Sequence, residues 1–144
     1  MNNLSTKKIL IIGRRWSTRG LNNDFEHFLS FFPGSIHVTN KELGKFDNRI
    51  YRFLKVKSGN SCYSSLSVAL EHQALMKMIK QKIKVVHYWF GDHDYYYGYW
   101  LKRIFGVKLV VNLFFSIEEL ESRMPNKSHL QKADLITCSG HAQL

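Results

Sequence analysis

Acidic residues are scarce in this chain. Eleven Asp and Glu stand against 21 Lys and Arg, a formal net charge of +10 over 144 residues. Such a deficit predicts attraction to anions: nucleotide phosphates, nucleic acid or the acidic face of a membrane. The basic residues are spread out (Lys7, Arg14, Arg52, Lys80, Arg103, Lys132) with no long run. A nucleic-acid module more often gathers them on one stripe, so nucleic acid is the disfavoured partner of the three. Cysteine is nearly absent: Cys62 and Cys138 are far apart and match no metal or redox spacing. Two thiols without a framework suggest a reducing compartment. Residues 1–6 are polar, and no apolar run is long enough for a signal peptide or a membrane span. A cytoplasmic protein is expected, with the inner face of the membrane as a place it can rest. Internal repeats and low-complexity tracts are lacking. So are the dinucleotide fingerprint, the Walker A loop and the G-x-S-x-G elbow, which removes support for serine hydrolase chemistry.

What is present is a globular composition, 44% hydrophobic and 14% aromatic, in a chain sized for one domain spanning residues 1–144. Residues 7–13 (KKILIIG) form a short β-branched run ending in glycine, a first buried strand. Leu21, Phe25, Phe28, Leu29 and Phe32 then keep the spacing of one helix face, and Pro33-Gly34 stops it. Residues 35–39 (SIHVT) are a second strand. A short helix is expected over 48–54, a loop over 58–61 and a long helix over 64–82, with serines near its start and lysines near its end. Strands follow at 83–89, 107–114 and 133–138. Between them lie a helix closed by Gly106 and another opened by the S-x-x-E box of Ser116 and Glu119 and interrupted by Pro125. Residues 139–144 look like the start of a further helix. The alternation predicts an α/β protein: a Rossmann-like open, mostly parallel sheet with helices on both faces.

Two loops carry chemistry. The first, residues 13–20 (GRRWSTRG), lies between a strand end and a helix start. Gly13 and Gly20 supply turn geometry, and Arg14, Arg15 and Arg19 supply phosphate donors where backbone N–H groups already favour an anion. The plain alternative is a flexible basic loop. The second is residues 84–97 (KVVHYWFGDHDYYY), a buried strand that surfaces into a polar loop. His93 beside Asp92 makes a general base with an orienting carboxylate. His87, Trp89, Asp94 and Tyr95 are candidates for acceptor binding, since rings stack on sugars and polar groups fix orientation. Alternatively, Asp92 or Asp94 caps the next helix and His87 is a core histidine. The run Tyr95, Tyr96, Tyr97, Tyr99, Trp100 suits a sugar ring or a lipid interface; Tyr97 and Trp100 share an apolar face and are expected in the core. No third ligand stands at a telling spacing, so no metal is expected.

The order KILIIG plus basic loop, long helix, KVVHYWFGDHD, helix, GVKLVVNLFFS and ADLITCSGHAQL resembles the N-terminal half of a GT-B glycosyltransferase of the family 4 type. The resemblance covers nearly the whole chain and rests on order and spacing. It implies a Rossmann-like acceptor-side domain of an enzyme that moves a sugar from a nucleotide-sugar co-substrate to a sugar or lipid-linked acceptor, with no cofactor or obligatory metal. The first loop would approach the donor phosphates, and His93 and Asp92 would be the catalytic pair. Two departures matter. Residues 112–116 read NLFFS, with phenylalanine where many members carry a histidine near the reacting centre. The second domain, with its donor site and paired glutamates, is missing, so a separate donor-binding domain or subunit is an expected partner and the chain alone should be weak or inactive. The competing readings are a stand-alone nucleotide- or phosphate-binding module and a basic protein for nucleic acid or membrane.

Overall fold

The β-branched runs become five strands: β1 (Ile9–Ile12), β2 (Ile36–Val38), β3 (Val85–Tyr88), β4 (Lys108–Leu113) and β5 (Leu135–Cys138). The computed structural model describes residues 8–15, 19–40 and 49–138. All strands pair in parallel, in the order β2-β1-β3-β4-β5. Between them run α1 (Arg19–Ser30), α2 (Arg49–Ser58), α3 (Ser65–Lys80), α4 (Gly91–Asp94), α5 (Gly98–Phe105) and α6 (Ile117–Arg123). The protein is therefore α/β and Rossmann-like, an open parallel sheet with helices on both faces.

Alternate residues of a strand point to opposite faces. The register sets Leu10, Val86 and Leu109 side by side, and Ile11, His87 and Val110 in the neighbouring row. The first row packs with Leu70, Ala74 and Met78 of α3 and Leu101 of α5. In the second, Ile11 packs with Phe25 and Leu29 of α1. The helix stripe Phe25, Phe28, Leu29, Phe32 thus covers one face, and α3, α5 and α6 cover the other.

Local signals act where they stand. Ser64 caps α3 in a reciprocal box with Ser67, and Ser116 caps α6 with Glu119; each cap is worth about 1 kcal/mol. Gly106 closes α5 in the left-handed region (φ 66°), donating its N–H to the Lys102 carbonyl at 2.9 Å. Helix α6 ends before Pro125, as the restriction on the residue preceding proline requires.

Three expectations need correction. Helix α2 runs to Ser58, beyond the expected end at Leu54 (Asn48 lies outside the described residues). Residues 91–94, read as loop, form the single turn α4. Neither Asp92 nor Asp94 caps α5: its N-cap is Tyr97, with no side-chain cap, because both carboxylates are used elsewhere. The helix start read at 139–144 lies outside the described residues.

Candidate functional site

In a sheet of this order the chain leaves β1 toward β2 on one side and resumes at β3 on the other. The crevice at the carboxyl ends of β1 and β3 is the topological switch point, where open α/β sheets place ligands. The loops singled out in the sequence are the ones that follow β1 and β3.

Gly13 ends β1, its N–H donating to the Val38 carbonyl at 3.1 Å. A Cβ at Gly13 would run into the Phe25 ring, so glycine lets β1 end against α1. Arg14 turns inward and is buried. Its guanidinium pairs with both oxygens of Asp94, Nε at 3.3 Å from Oδ2, and Nη2 also donates to Ser67 Oγ at 2.9 Å. Ser67 in turn donates to the His93 carbonyl at 2.8 Å. Arg14 is therefore a buried clamp between the β1 loop, the start of α3 and α4, which corrects its expected place on a phosphate. Arg15 is half-buried and pairs with Glu26, while Asn40 brackets its backbone, accepting from its N–H at 2.8 Å and donating to its carbonyl at 3.1 Å. Arg19 and Gly20 open α1, with clear space around Gly20. Residues 16–18 and the side chain of Arg19 lie outside the described part of the structure.

Asp92 is fully buried. Its Oδ2 accepts from the N–H groups of Phe114 and Phe115, both at 2.8 Å, which ties the loop after β4 to the loop after β3. Its Oδ1 lies 3.2 Å from His93 Nδ1. Asn60 Nδ2 holds the Asp92 carbonyl at 2.8 Å. Asp92 thus orients the imidazole and does not itself reach solvent. The His93 side chain keeps 20% of its surface exposed, with its ring 4.9 Å from that of Phe115. Oriented through Nδ1 and partly exposed, the imidazole is of a type that can transfer a proton or hydrogen-bond a ligand.

The expected acceptor residues are divided. His87 and Trp89 point to the α1 face, where Trp89 stacks on Phe28 at 4.3 Å and the His87 ring meets Phe28 edge-on at 4.8 Å. His87 Nε2 finds no hydrogen-bond partner among the described residues, and burial lowers its pKa to about 4, so it is neutral at pH 7. Asp94 and Tyr95 are fully buried. Burial raises the Asp94 pKa while Arg14 opposes the rise. Burial likewise raises the Tyr95 pKa, and its hydroxyl donates to the His129 carbonyl at 2.7 Å. In this conformation neither Asp94 nor Tyr95 can touch an acceptor; both hold the loop.

The most consequential residue not read from the sequence is Glu71 of α3. It is fully buried and accepts from Tyr63 OH (3.1 Å), Tyr88 OH (3.0 Å), Tyr96 N (2.6 Å) and Tyr97 N (2.9 Å). Burial drives its pKa up to about 8, against four donors that favour the carboxylate. Its signal was present: the lone acid of a helix whose other charges are basic, set among Val68, Ala69, Leu70 and Ala74. Asn112 was also missed; it bridges Trp89 O (3.2 Å) and Thr137 Oγ1 (2.9 Å) beneath the same loops. Among the described residues no group of three or more His, Cys, Asp or Glu is placed to hold a metal ion.

No protein-family model, no curated protein and no solved structure matches this chain.

Proposed function

We propose that the chain is the acceptor-side Rossmann-like domain of a GT-B glycosyltransferase, with the loops after β1, β3 and β4 forming one wall of the acceptor cleft. One observation carries the reading: at the switch point, an imidazole is oriented by a buried carboxylate that also fixes the neighbouring loop. His93 would accept the proton of an attacking sugar hydroxyl or hydrogen-bond that hydroxyl through Nε2. Asp92 would hold the imidazole, and Arg14 with Asp94 would hold the turn that carries both. The family resemblance left phenylalanine where a histidine is common. In this fold the His93 ring lies against Phe115 of that same segment, which brings an imidazole to that neighbourhood from another loop.

The alternative, a nucleotide- or phosphate-binding module, is weakened by the engagement of Arg14 with Asp94 and of Arg15 with Glu26. A thermal-shift screen separates the two. Mono- and disaccharides and short polyprenyl-linked sugars should raise the midpoint more than free nucleotides or inorganic phosphate. His93→Ala should weaken the best sugar about tenfold, the worth of one hydrogen bond. A shift produced by nucleotides and phosphate alone would replace this reading with the alternative.

A further inference from the structure

Helices α2, α3 and α5 share one face of the molecule, and that face is short of both acid and cover. Helices α2 and α5 contain no acidic residue, and the single acid of α3, Glu71, is fully buried. Their cations, among them Arg52, Lys55 and Lys57 on α2 and Arg103 on α5, stand exposed. Large apolar side chains stand among them: Phe53 is 63% and Val56 80% exposed on α2, Ile79 61% on α3, and Trp100 43% and Ile104 66% on α5. Trp100 was expected in the core on helical spacing; of α5 only Gly98 and Leu101 are buried, which corrects the expectation.

Of these, Trp100, Ile104 and Arg103 line two adjoining hollows. An apolar groove of about 250 Å³ runs between the helices, with Leu54 of α2, Leu75 of α3, and Trp100 and Ile104 of α5 in its walls. Met76 and Ile79 follow His72 and Leu75 at a spacing of four, so they prolong the α3 wall along the same stripe. Trp100 also borders a second hollow of about 550 Å³, lined by Tyr99, Lys102, Arg103 and Lys132. There Lys132 Nζ sits 4.7 Å above the Tyr99 ring, the Arg103 guanidinium lies 6.0 Å from Trp100, and Lys102 pairs with Asp134 at 2.9 Å.

We infer that the α2–α3–α5 face docks on the surface of an anionic lipid bilayer, with acyl chains against the groove and a phosphate headgroup in the basic hollow beside Trp100. Exposed Phe, Val and Ile gain nothing from a phosphodiester backbone, but they gain about 25 cal/mol per Å² when a bilayer covers them. A two-fold contact between two copies through this face would set cations against cations, which electrostatic complementarity forbids. Exposed cations add about 1 kcal/mol each near an anionic leaflet. The inference stands apart from the glycosyltransferase reading, and either can fail alone.

The test is co-sedimentation of the full chain with vesicles of phosphatidylcholine, alone and mixed with phosphatidylglycerol. Binding is expected only to the mixed vesicles and should fall as salt rises. Ile104→Glu, Phe53→Glu and Arg103→Glu, all at exposed positions, should each lower the partition about tenfold or more while circular dichroism and thermal midpoint stay unchanged. The inference is overturned by failure to bind the mixed vesicles, or by binding that Ile104→Glu and Phe53→Glu leave intact. It is equally overturned by a salt-dependent DNA complex without vesicle binding, or by a dimer in sedimentation equilibrium that Ile104→Glu disperses.

Discussion

The residue that most constrains the site is Asp94, because a buried carboxylate and a buried guanidinium hold together loops that are 80 positions apart in the chain. Breaking a buried pair leaves its partner charged and unpaired. Asp94→Ala should therefore cost about 3–5 kcal/mol in urea unfolding, and a cost under about 1 kcal/mol would show that the pair is not what holds the turn. Glu71 makes a prediction with a definite sign. Its folded pKa, about 8, lies above the ordinary 4.5, so the stability it contributes is full below about pH 4.5 and lost as pH rises through about 8. His87 and His129 work in the opposite sense. Burial lowers each to about 4 from 6.5, so their contribution is present above pH 6.5 and lost as pH falls through about 4. Between about pH 7.5 and 8.5 the histidines are nearly all neutral in both states and Glu71, still titrating, dominates. Stability should fall across that interval, and Glu71→Gln should flatten the fall while leaving the acid limb in place, as read by urea midpoints at successive pH values. At this scale the sequence was only partly legible. Residue type picked out His93 and its aspartate neighbour, but a local reading has no access to where Arg14 ends up. It took for a phosphate ligand a side chain that the fold turns inward to Asp94.

At the scale of elements, the strands and the long helices were legible because each is a run whose periodicity matches its environment. The turn α4 was not, since GDHD has no apolar period; it is helical because Arg14, Ser67 and the N–H groups of Phe114 and Phe115 take up its polar groups. Helix α5 misled in the other direction: its apolar spacing is real, yet Trp100 and Ile104 border an open groove. Gly91 sets how closely this region packs. A Cβ there would strike the Val111 side chain and come within 2.8 Å of the Asn112 carbonyl oxygen, so α4 can press onto β4 only through glycine. Gly91→Ala should destabilise by about 1–3 kcal/mol, as overpacking does, and should displace His93 together with the turn. A crystal structure of the variant with His93 unmoved would contradict this.

For the molecule as a whole, alternation of strand and helix patterns was enough to read the class, but not the strand order. That order follows from which edge of β1 each later strand joins, and it determines that the loops after β1 and β3 share a crevice. The same order gathers α2, α3 and α5, whose one acid, Glu71, is buried, opposite α1, so their exposed cations stand on that face without an exposed acid on these helices. We propose that His93, oriented by Asp92 at the switch point, is the group a sugar acceptor meets; this role is open to direct measurement. It is tested most directly by nitrogen-15 NMR of the histidine rings while the best-binding saccharide is titrated in. The His93 Nε2 resonance should move with saturation while those of the buried His87 and His129 stay fixed. A saccharide that saturates the protein without moving His93 would contradict it.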